Sequence, residues 1–313
     1  MSGRFAAIDL GSNTVRLMVG ETDGSGWKIL LRRQRITRLS GSFDSDRGRL
    51  DPSSVSRTVQ TLAEFIGEAR TLGAGRIGLG ATGISRKAEN AGEVLGALEP
   101  GPHLIARVIS GEEEARLTLA GALFLAEDKN RPFLLVDVGG TSTEITAYRP
   151  KREARWVSLD LGAVALTERY LKGDPPSKEE TNRIEAEVRS KLGKARELFL
   201  GDEKEVPENL IGTAGTVTTL AAIDMKMEAY DPDRVEGYRM SRRVVETIRR
   251  RLASMTLKER RGVPGLERGR EDVIIAGASI VLGVMAQFGF RELSVTEGGL
   301  LEGLLLDIAE AIE

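Results

Sequence analysis

The amino-acid sequence predicts an α/β protein of two domains, each built on its own β-sheet. The chain has 313 residues, which is enough for two ordinary domains. Two apolar segments end in an Asp-x-Gly turn, Asp9-Leu10-Gly11 and Asp137-Val138-Gly139, and two further strand-like segments follow each turn. Strand and helix segments then alternate in both halves, which is typical of α/β proteins. The two halves therefore indicate an internal duplication of topology.

The first half opens with three predicted strands, at 4–10, 14–20 and 27–37, each bounded by turn residues. Gly, Ser and Asp are abundant over 40–51, which predicts a loop. A helix is expected at 53–72, because Val55, Val59 and Leu62 recur there at helical spacing. The remaining predicted elements of this half are a strand at 76–81, a helix at 85–98, a strand at 104–109 and a helix at 111–125.

The polar stretch 126–132 ends in Pro132 and interrupts this pattern, so it is the predicted domain boundary. We expect domains at 1–126 and 127–313, with the last helix, about 298–313, as a segment able to pack back on the first domain. The second half is predicted to contain strands at 133–138, 143–148, 155–161, 209–212 and 293–295, and helices at 163–171, 178–199, 216–224, 241–254, 272–288 and 300–312.

Composition restricts the chemistry that this chain can perform. It contains no cysteine and one histidine, His103. These counts exclude disulfides, thiolate nucleophiles, cysteine-based metal sites and multi-histidine metal clusters. Acid–base catalysis is therefore expected from carboxylates, hydroxyls, Lys or Tyr.

Charge and hydropathy bear on location and partners. A net charge of −2 provides no global attraction to nucleic acid or to an anionic membrane. The N-terminus lacks the basic and apolar regions of a signal peptide, and the most apolar window, 273–288, is expected as a helix buried between the domains. We therefore expect a cytoplasmic protein, monomeric or homodimeric, without a nucleic-acid or membrane partner.

Two turns carry the clearest signal for a ligand. In the first, 9–14, Gly11 opens a run of backbone N–H groups that suits a phosphate, and the Asp9 carboxylate suits a hydrated Mg²⁺. The second, 137–144, repeats the pattern and adds Glu144 on its second strand. Either turn alone is compatible with a structural hairpin. Their repetition at the same point of both halves favours a pair of phosphate-binding turns.

Four further motifs are ambiguous by themselves. The small residues of 212–216 favour either an anion at a helix N-terminus or close helix–strand packing. The acidic run of 110–116 is explained by the helix dipole alone. Arg86 in 82–86 suits either a phosphate or an ordinary surface position, and the glycines of 296–303 favour close packing of the last helix.

Taken in order, these motifs resemble the exopolyphosphatase / guanosine pentaphosphate phosphohydrolase (Ppx/GppA) family, in a short two-domain form. This family belongs to the actin-like ATPase and sugar kinase superfamily. The resemblance implies two ribonuclease-H-like domains with an active-site cleft between them, and Mg²⁺-dependent hydrolysis of terminal phosphoanhydrides. The segments that carry it are 7–17, 81–90, 109–117, 137–144, 211–220 and 270–277.

The resemblance also implies roles for individual residues. Glu114 matches the proposed general base, and Arg86 joins it as a catalytic residue. The carboxylates that match metal-associated positions are Asp9, Asp137 and Glu144. The positions implied for phosphate binding are Gly11, Ser12, Asn13, Arg16, Gly139, Gly140, Thr141, Ser142, Gly215, Thr216 and Arg270. The implied substrate is inorganic polyphosphate or a guanosine polyphosphate.

One residue departs from the family pattern. The family has a third Gly where this chain has Thr141. If that position requires a positive φ, Thr141 is strained or the turn differs; otherwise its hydroxyl adds a donor to the phosphate site.

Several readings of the function remain open at this stage. The principal expectation is an exopolyphosphatase, and the alternatives are a pppGpp 5′-phosphohydrolase, a kinase of the same superfamily and a (p)ppGpp sensor without turnover. The arginine clusters at 32–35 and 249–251 are compatible with a track for polyphosphate, although solvated surface charge is the favoured explanation.

Overall fold

Two separate β-sheets organise the chain. The computed structural model describes residues 3–41, 43, 47–98, 103–200 and 206–310. Unit 1 comprises Met1–Phe124 and Gly298–Glu313, and unit 2 comprises Leu125–Glu297. Each sheet mixes parallel and antiparallel strands and carries helices. This arrangement confirms the predicted α/β class and the two ribonuclease-H-like domains.

The sheet of unit 1 has the strand order β3-β2-β1-β4-β5. β1 pairs antiparallel with β2 and parallel with β4, and β4 pairs parallel with β5. The elements of this unit are β1 Gly3–Leu10, β2 Thr14–Thr22, β3 Trp27–Ile36, α1 Pro52–Thr71, β4 Arg76–Ala81, α2 Ala91–Gly96, β5 Leu104–Val108, α3 Gly111–Leu125 and, from the end of the chain, α11 Leu300–Glu310.

Apolar clusters cover both faces of this sheet. Alternate residues of β1 point to opposite faces, so they belong to different clusters. Ile8 and Leu10 join the apolar cluster that includes Phe65 of α1. Phe5 and Ala7 join a second cluster, which includes Leu304, Leu305 and Ile308 of α11. The last helix therefore covers one face of the first sheet.

The prediction of one continuous helix at 85–98 is wrong. The structure has a 3₁₀ turn at Gly83–Arg86 and the short α2, with non-helical backbone between them. Asn90 explains the interruption, since its side-chain oxygen accepts from Leu50 N at 2.8 Å. Glu89 N likewise donates to Gly48 O at 2.8 Å. These long-range hydrogen bonds replace those that a continuous helix would make.

The sheet of unit 2 has the order β10-β11-β9-β6-β7-β8. Three short elements, at 232–235, 239–241 and 257–260, are absent from the sequence prediction because they are too short to show a periodicity. The elements are β6 Phe133–Val138, β7 Thr143–Tyr148, β8 Arg155–Leu159, α4 Ala163–Tyr170, α5 Lys178–Leu200, β9 Asn209–Thr213, α6 Ala214–Asp224, α7 Pro232–Val235, β10 Arg239–Ser241, α8 Arg242–Ala253, α9 Leu257–Arg260, α10 Ile274–Phe288 and β11 Glu292–Val295.

The apolar helix α10 lies in the core of unit 2, packed against α4, α5, α6 and α8, and not between domains as expected. A Cβ on Gly277 would lie 2.5 Å from Thr216 Cγ2, so this glycine lets α10 approach the first turn of α6.

Within the described residues, no helix combines the length and the apolar character needed to cross a bilayer.

Candidate active site

The two Asp-x-Gly turns repeat the same backbone hydrogen bond. Gly11 N donates to Thr14 O at 3.0 Å, and Gly139 N donates to Ser142 O at 3.0 Å. Each turn follows the central strand of its sheet, beside the end of a parallel strand. Ligands of open α/β sheets bind at the carboxyl ends of such strands. The duplication predicted from sequence is therefore present in the geometry of the turns.

Thr141 fits the second turn without strain. None of residues 139–142 has a positive φ, so the turn has no need of a third glycine. The helix α4 approaches the turn closely, and a Cβ on Gly162 would overlap the Gly140 carbonyl. Ala163 N donates to Gly139 O at 3.0 Å, and Val164 N to Gly140 O at 2.8 Å.

These contacts orient the remaining donors of the turn. In a planar trans peptide, the C=O of one residue and the N–H of the next point in opposite directions. Since α4 binds the carbonyl oxygens of Gly139 and Gly140, the N–H groups of Gly140 and Thr141 point away from α4. Adjacent N–H groups that point the same way form a cradle for an anion.

Backbone N–H groups of the loop after β3 bind the carbonyl oxygens of the first turn, as those of α4 bind the carbonyl oxygens of the second. Ser40 N donates to Ser12 O at 2.8 Å, and Thr37 N donates to Asn13 O at 3.0 Å. Ile84 N donates to the Ser12 side-chain oxygen at 3.0 Å, which ties the turn to the 3₁₀ turn after β4. The predicted phosphate-binding residues Ser12 and Asn13 are thus fixed from two sides.

Charges at the two turns are arranged differently. In unit 1, Asp9 lies opposite Arg16 across the β1–β2 ladder. Nε and Nη2 of Arg16 donate to Asp9 Oδ2 at 2.9 and 2.6 Å, while Asp9 Oδ1 is buried without a hydrogen-bond partner. In unit 2, Asp137 lies opposite Glu144. The facing residues are therefore oppositely charged in unit 1 and alike in charge in unit 2.

The carboxylates of unit 2 fit a divalent cation. Asp137 and Glu144 are 7% and 2% exposed, and two buried carboxylates on neighbouring strands repel unless a cation neutralises them. Ser158 on β8 lies opposite Glu144, and its hydroxyl donates to Glu144 Oε1 at 2.7 Å. Mg²⁺ commonly takes one or two protein carboxylates and completes its shell with water and phosphate. No group of three or more metal-binding side chains occurs among the described residues.

Glu114 and Arg86 form a partly buried ion pair in unit 1. Glu114 lies in the first turn of α3 and is 7% exposed. Arg86 Nη1 donates to Glu114 Oε2 and to Ile109 O, the latter at 3.3 Å. The neighbouring Glu113 binds Arg107 instead, with Nη2 to Oε1 at 2.7 Å. The structure thus brings together the two residues predicted as catalytic, which lie 28 positions apart in sequence.

The start of α6 lies beside the second turn, at the end of β6. A Cβ on Gly215 would lie 2.5 Å from Arg270 Cζ, so the Arg270 guanidinium rests directly on this glycine. Arg270 is 8% exposed, and its Nε donates to Glu267 Oε2 at 2.5 Å. Thr216 Oγ1 donates to Val138 O at 3.2 Å, which attaches α6 to the end of β6.

The first residue of α6 has a left-handed backbone conformation. Ala214 has φ +66°, an unfavourable conformation for a residue with a Cβ. In unit 1, the 3₁₀ turn after β4 begins with Gly83 at φ +54° in the same way. Strained residues of this kind cluster at ligand sites.

The arginine clusters are engaged with carboxylates. Arg32 binds Glu302 at 2.9 Å, Arg33 binds Glu68 at 3.2 Å and Arg249 binds Glu185 at 2.7 Å. Arg35 and Arg250 pair with Glu64 and Glu246. These ion pairs favour the interpretation of the two arginine clusters as paired charge rather than as a binding track for polyphosphate.

Sequence reasoning missed several residues that shape the site. Ser158 and Gly162 lie in segments without a motif, so nothing local distinguishes them. Glu267 was detectable in principle, because it lies three positions before Arg270 in sequence. A carboxylate at that spacing reaches a guanidinium across a tight turn, here closed by Arg270 N donating to Glu267 O at 3.1 Å.

Comparison with known proteins agrees with this geometry. The chain matches the Ppx/GppA phosphatase family over residues 18–311. It is 34% identical to "Exopolyphosphatase 2" of Mycobacterium tuberculosis over 322 aligned positions, which cover 98% of both chains. A solved member of the Ppx/GppA family from Aquifex aeolicus is 30% identical, with a TM-score of 0.82 and full coverage of both chains. An exopolyphosphatase from Cytophaga hutchinsonii, 22% identical, shares the fold with a TM-score of 0.87 over 99% of both chains.

The match extends over nearly the whole chain, and the family uses a divalent metal ion. The two turns, the buried carboxylates and these similarities lead to one conclusion: this chain belongs to the Ppx/GppA phosphatase family and is a phosphoanhydride hydrolase.

Proposed function

We propose that this protein is an Mg²⁺-dependent exopolyphosphatase, which releases orthophosphate from the end of inorganic polyphosphate. The observation that carries the proposal is the pair of buried carboxylates, Asp137 and Glu144, beside a turn whose Gly140 and Thr141 N–H groups point away from α4. A relative that is 34% identical and named "Exopolyphosphatase 2" supports the same substrate.

Asp137 and Glu144 would hold the metal ion. When bound there, Mg²⁺ supplies positive charge that neutralises the phosphoryl oxygens of the substrate. Ser158 fixes one oxygen of Glu144 and so sets the orientation of that carboxylate. Asp9 retains one buried oxygen without a partner, which leaves it available to water or to a cation.

Glu114 is assigned the role of general base. Its carboxylate orients a water toward the terminal phosphorus and accepts the proton of that water as the phosphorus–oxygen bond forms. The Arg86 guanidinium compensates the buried charge of Glu114 and holds its side chain in place. The leaving group is the shortened polyphosphate chain, and no covalent intermediate is required.

The turns and Arg270 are assigned to the phosphoryl oxygens. The N–H groups of Gly140 and Thr141, together with the nearby guanidinium of Arg270, donate to oxygens that gain charge in the transition state. Because Thr141 adopts an ordinary backbone conformation, the turn offers no structural reason for a loss of turnover. The sensor alternative therefore has less support than hydrolysis.

The proposal is tested by phosphate release from long-chain polyphosphate in the presence of Mg²⁺. Glu114→Ala is expected to bind polyphosphate but to release phosphate about 10²–10⁴-fold more slowly. Glu112→Ala is the matched control, because Glu112 occupies the same helix turn but is exposed. Unchanged release by Glu114→Ala would refute the role of this residue, and no release by the wild type would refute the function.

A further inference from the structure

A buried carboxylate that the proposed reaction does not use lies at the start of α11. Glu302 is 2% exposed. Its Oε2 accepts from Gly299 N at 3.0 Å, and its Oε1 accepts from Arg32 Nη1 at 2.9 Å. In a capping box, Gln accepts the backbone hydrogen bond at this position as well as Glu does. The helix cap therefore explains the length of this side chain but not its charge.

Strand register places two arginines on the face of the first sheet that α11 covers. Asp9 faces Arg16 across the β1–β2 ladder, and Met18 faces Arg32 across the β2–β3 ladder. Residues two positions apart in a strand share a face, so Asp9, Arg16 and Arg32 lie on the same face as Met18. Met18 belongs to the apolar cluster that includes α11. Both arginines are therefore on the side of the sheet where Glu302 lies.

Charges of opposite sign alternate along this face. Arg16 donates to Asp9 Oδ2 from Nε at 2.9 Å and from Nη2 at 2.6 Å. Burial raises the pKa of Glu302, and the positive charges of Arg32 and Arg16 act to lower it, so Glu302 attracts both arginines. The order of the charges is therefore Asp9, Arg16, Glu302 and Arg32. Arg16 is attracted from two sides, by Asp9 and by Glu302.

The attraction between Arg16 and Glu302 bears on Asp9. Among the described residues, Asp9 Oδ1 is buried without a hydrogen-bond partner. A guanidinium bound to the other oxygen competes with a cation for the charge of this carboxylate, and Glu302 weakens that competition by attracting Arg16. We propose that Glu302 is a positioning residue that acts through Arg16 and keeps the Asp9 carboxylate able to bind Mg²⁺. The inference rests on the proposed function, because it assumes the Mg²⁺ site.

Two variants separate this role from that of a structural ion pair. Glu302→Gln retains an acceptor for Gly299 N but removes the charge that attracts Arg16 away from Asp9, so Mg²⁺ should bind more weakly. Arg32→Gln removes the other cation that Glu302 binds, so Glu302 attracts Arg16 more strongly and Mg²⁺ should bind more tightly. We expect the Kd of Mg²⁺ to rise and to fall by about fivefold, the effect of one unit charge on a nearby divalent ion in a water-like dielectric. Loss of a purely structural pair would change the Kd in the same direction in both variants.

A double-mutant cycle tests the route through Arg16. In an Arg16→Gln background, Glu302→Gln should change the Kd of Mg²⁺ by less than about twofold, because the residue through which it acts is absent. Glu310→Gln at the exposed end of α11 and Arg33→Gln on the opposite face of β3 are the matched controls, since they remove the same charges elsewhere. Both should leave the Kd within about twofold of the wild type, because solvent and salt screen exposed charges.

Calorimetric titration of each protein with Mg²⁺ alone provides the readout and requires no turnover. Weaker binding by Glu302→Gln, tighter binding by Arg32→Gln and loss of the first effect without Arg16 would support the inference. Unchanged Kd values, changes of the same sign in both variants, or an undiminished effect of Glu302→Gln without Arg16 would overturn it, while Mg²⁺ binding by the wild type would leave the proposed function intact.

Two further outcomes of this titration are decisive. If Glu302→Gln does not fold, Arg32→Gln decides alone, since unchanged or weaker binding of Mg²⁺ contradicts the inference. No binding of Mg²⁺ by the wild type would overturn both the inference and the Mg²⁺ dependence of the proposed function. The two failures are therefore distinguishable.

Discussion

The contact between Gly215 and Arg270 gives the sharpest test of the site. In Gly215→Ala, the new methyl group would lie 2.5 Å from Arg270 Cζ, well inside van der Waals contact. The guanidinium must therefore move, although it is buried and held by Glu267. The substitution displaces the proposed phosphate ligand without changing any charged residue.

The expected magnitude follows from the role assigned to Arg270. Loss of one donor to a developing negative charge typically lowers kcat by about 10²–10³-fold. We expect Gly215→Ala to reduce phosphate release by about that factor. Helix propensity acts in the opposite direction, because Ala is favoured over Gly in a helix by about 1 kcal/mol. A loss of activity cannot then be assigned to a weakened helix.

A double-mutant cycle separates these effects. We expect Gly215→Ala and Arg270→Ala to be non-additive in kcat, because the added methyl meets no guanidinium once Arg270 is removed. In that background, Gly215→Ala should stabilise the protein by up to about 1 kcal/mol in urea unfolding. Gly193→Ala on α5 is the control, since its Cβ would meet nothing within 4 Å. Full activity of Gly215→Ala, or additive losses in the double variant, would refute the reasoning.

Three further predictions concern single residues. Ala214→Gly relieves a left-handed backbone conformation that costs about 1–2 kcal/mol, but it also increases the entropy of the unfolded chain, which costs about 0.5–1 kcal/mol of stability. Urea unfolding should therefore show a small net gain in the free energy of unfolding. A net loss would contradict the strain at Ala214. Ser158→Ala removes the hydrogen bond to Glu144. Titration of activity with Mg²⁺ should then show an apparent affinity for the metal that is roughly 10–100-fold weaker, as for other groups that orient metal ligands. An unchanged titration would exclude Glu144 from the metal site. Three backbone N–H groups lower the pKa of Glu180 from 4.5 to about 2, so its stabilisation is complete above pH 4.5 and is lost as the pH falls toward 2. The Tm difference between the wild type and Glu180→Gln should therefore shrink over that range, and a constant difference would contradict the assignment.

Local features of the sequence predicted the fold and the turns well. The Asp-x-Gly turns are recognisable because hairpin chemistry is encoded in adjacent residues, and the long apolar elements show their periodicity directly. The helix at 85–98 failed because Asn90 bonds to Leu50, a partner 40 positions away. Such a contact has no local signature.

The charge arrangement of the site, by contrast, depends on residues that lie within one hairpin. Asp9 and Asp137 have the same sequence context, yet one faces Arg16 and the other faces Glu144 across the ladder. Both hairpins have the same register, since each Asp faces the residue seven positions later, so the identity of that residue makes the difference. The two carboxylates at equivalent positions therefore have different electrostatic surroundings.

The position of α11 has a consequence for the order of folding during synthesis. Residues 125–297 form one continuous unit, whereas the first sheet needs a helix encoded after that unit. Until that helix leaves the ribosome, Phe5, Ala7 and Met18 lack the part of their apolar cluster that α11 supplies. The first sheet is thus completed only after the whole of the second unit has been synthesised, and one of its faces stays partly uncovered until then.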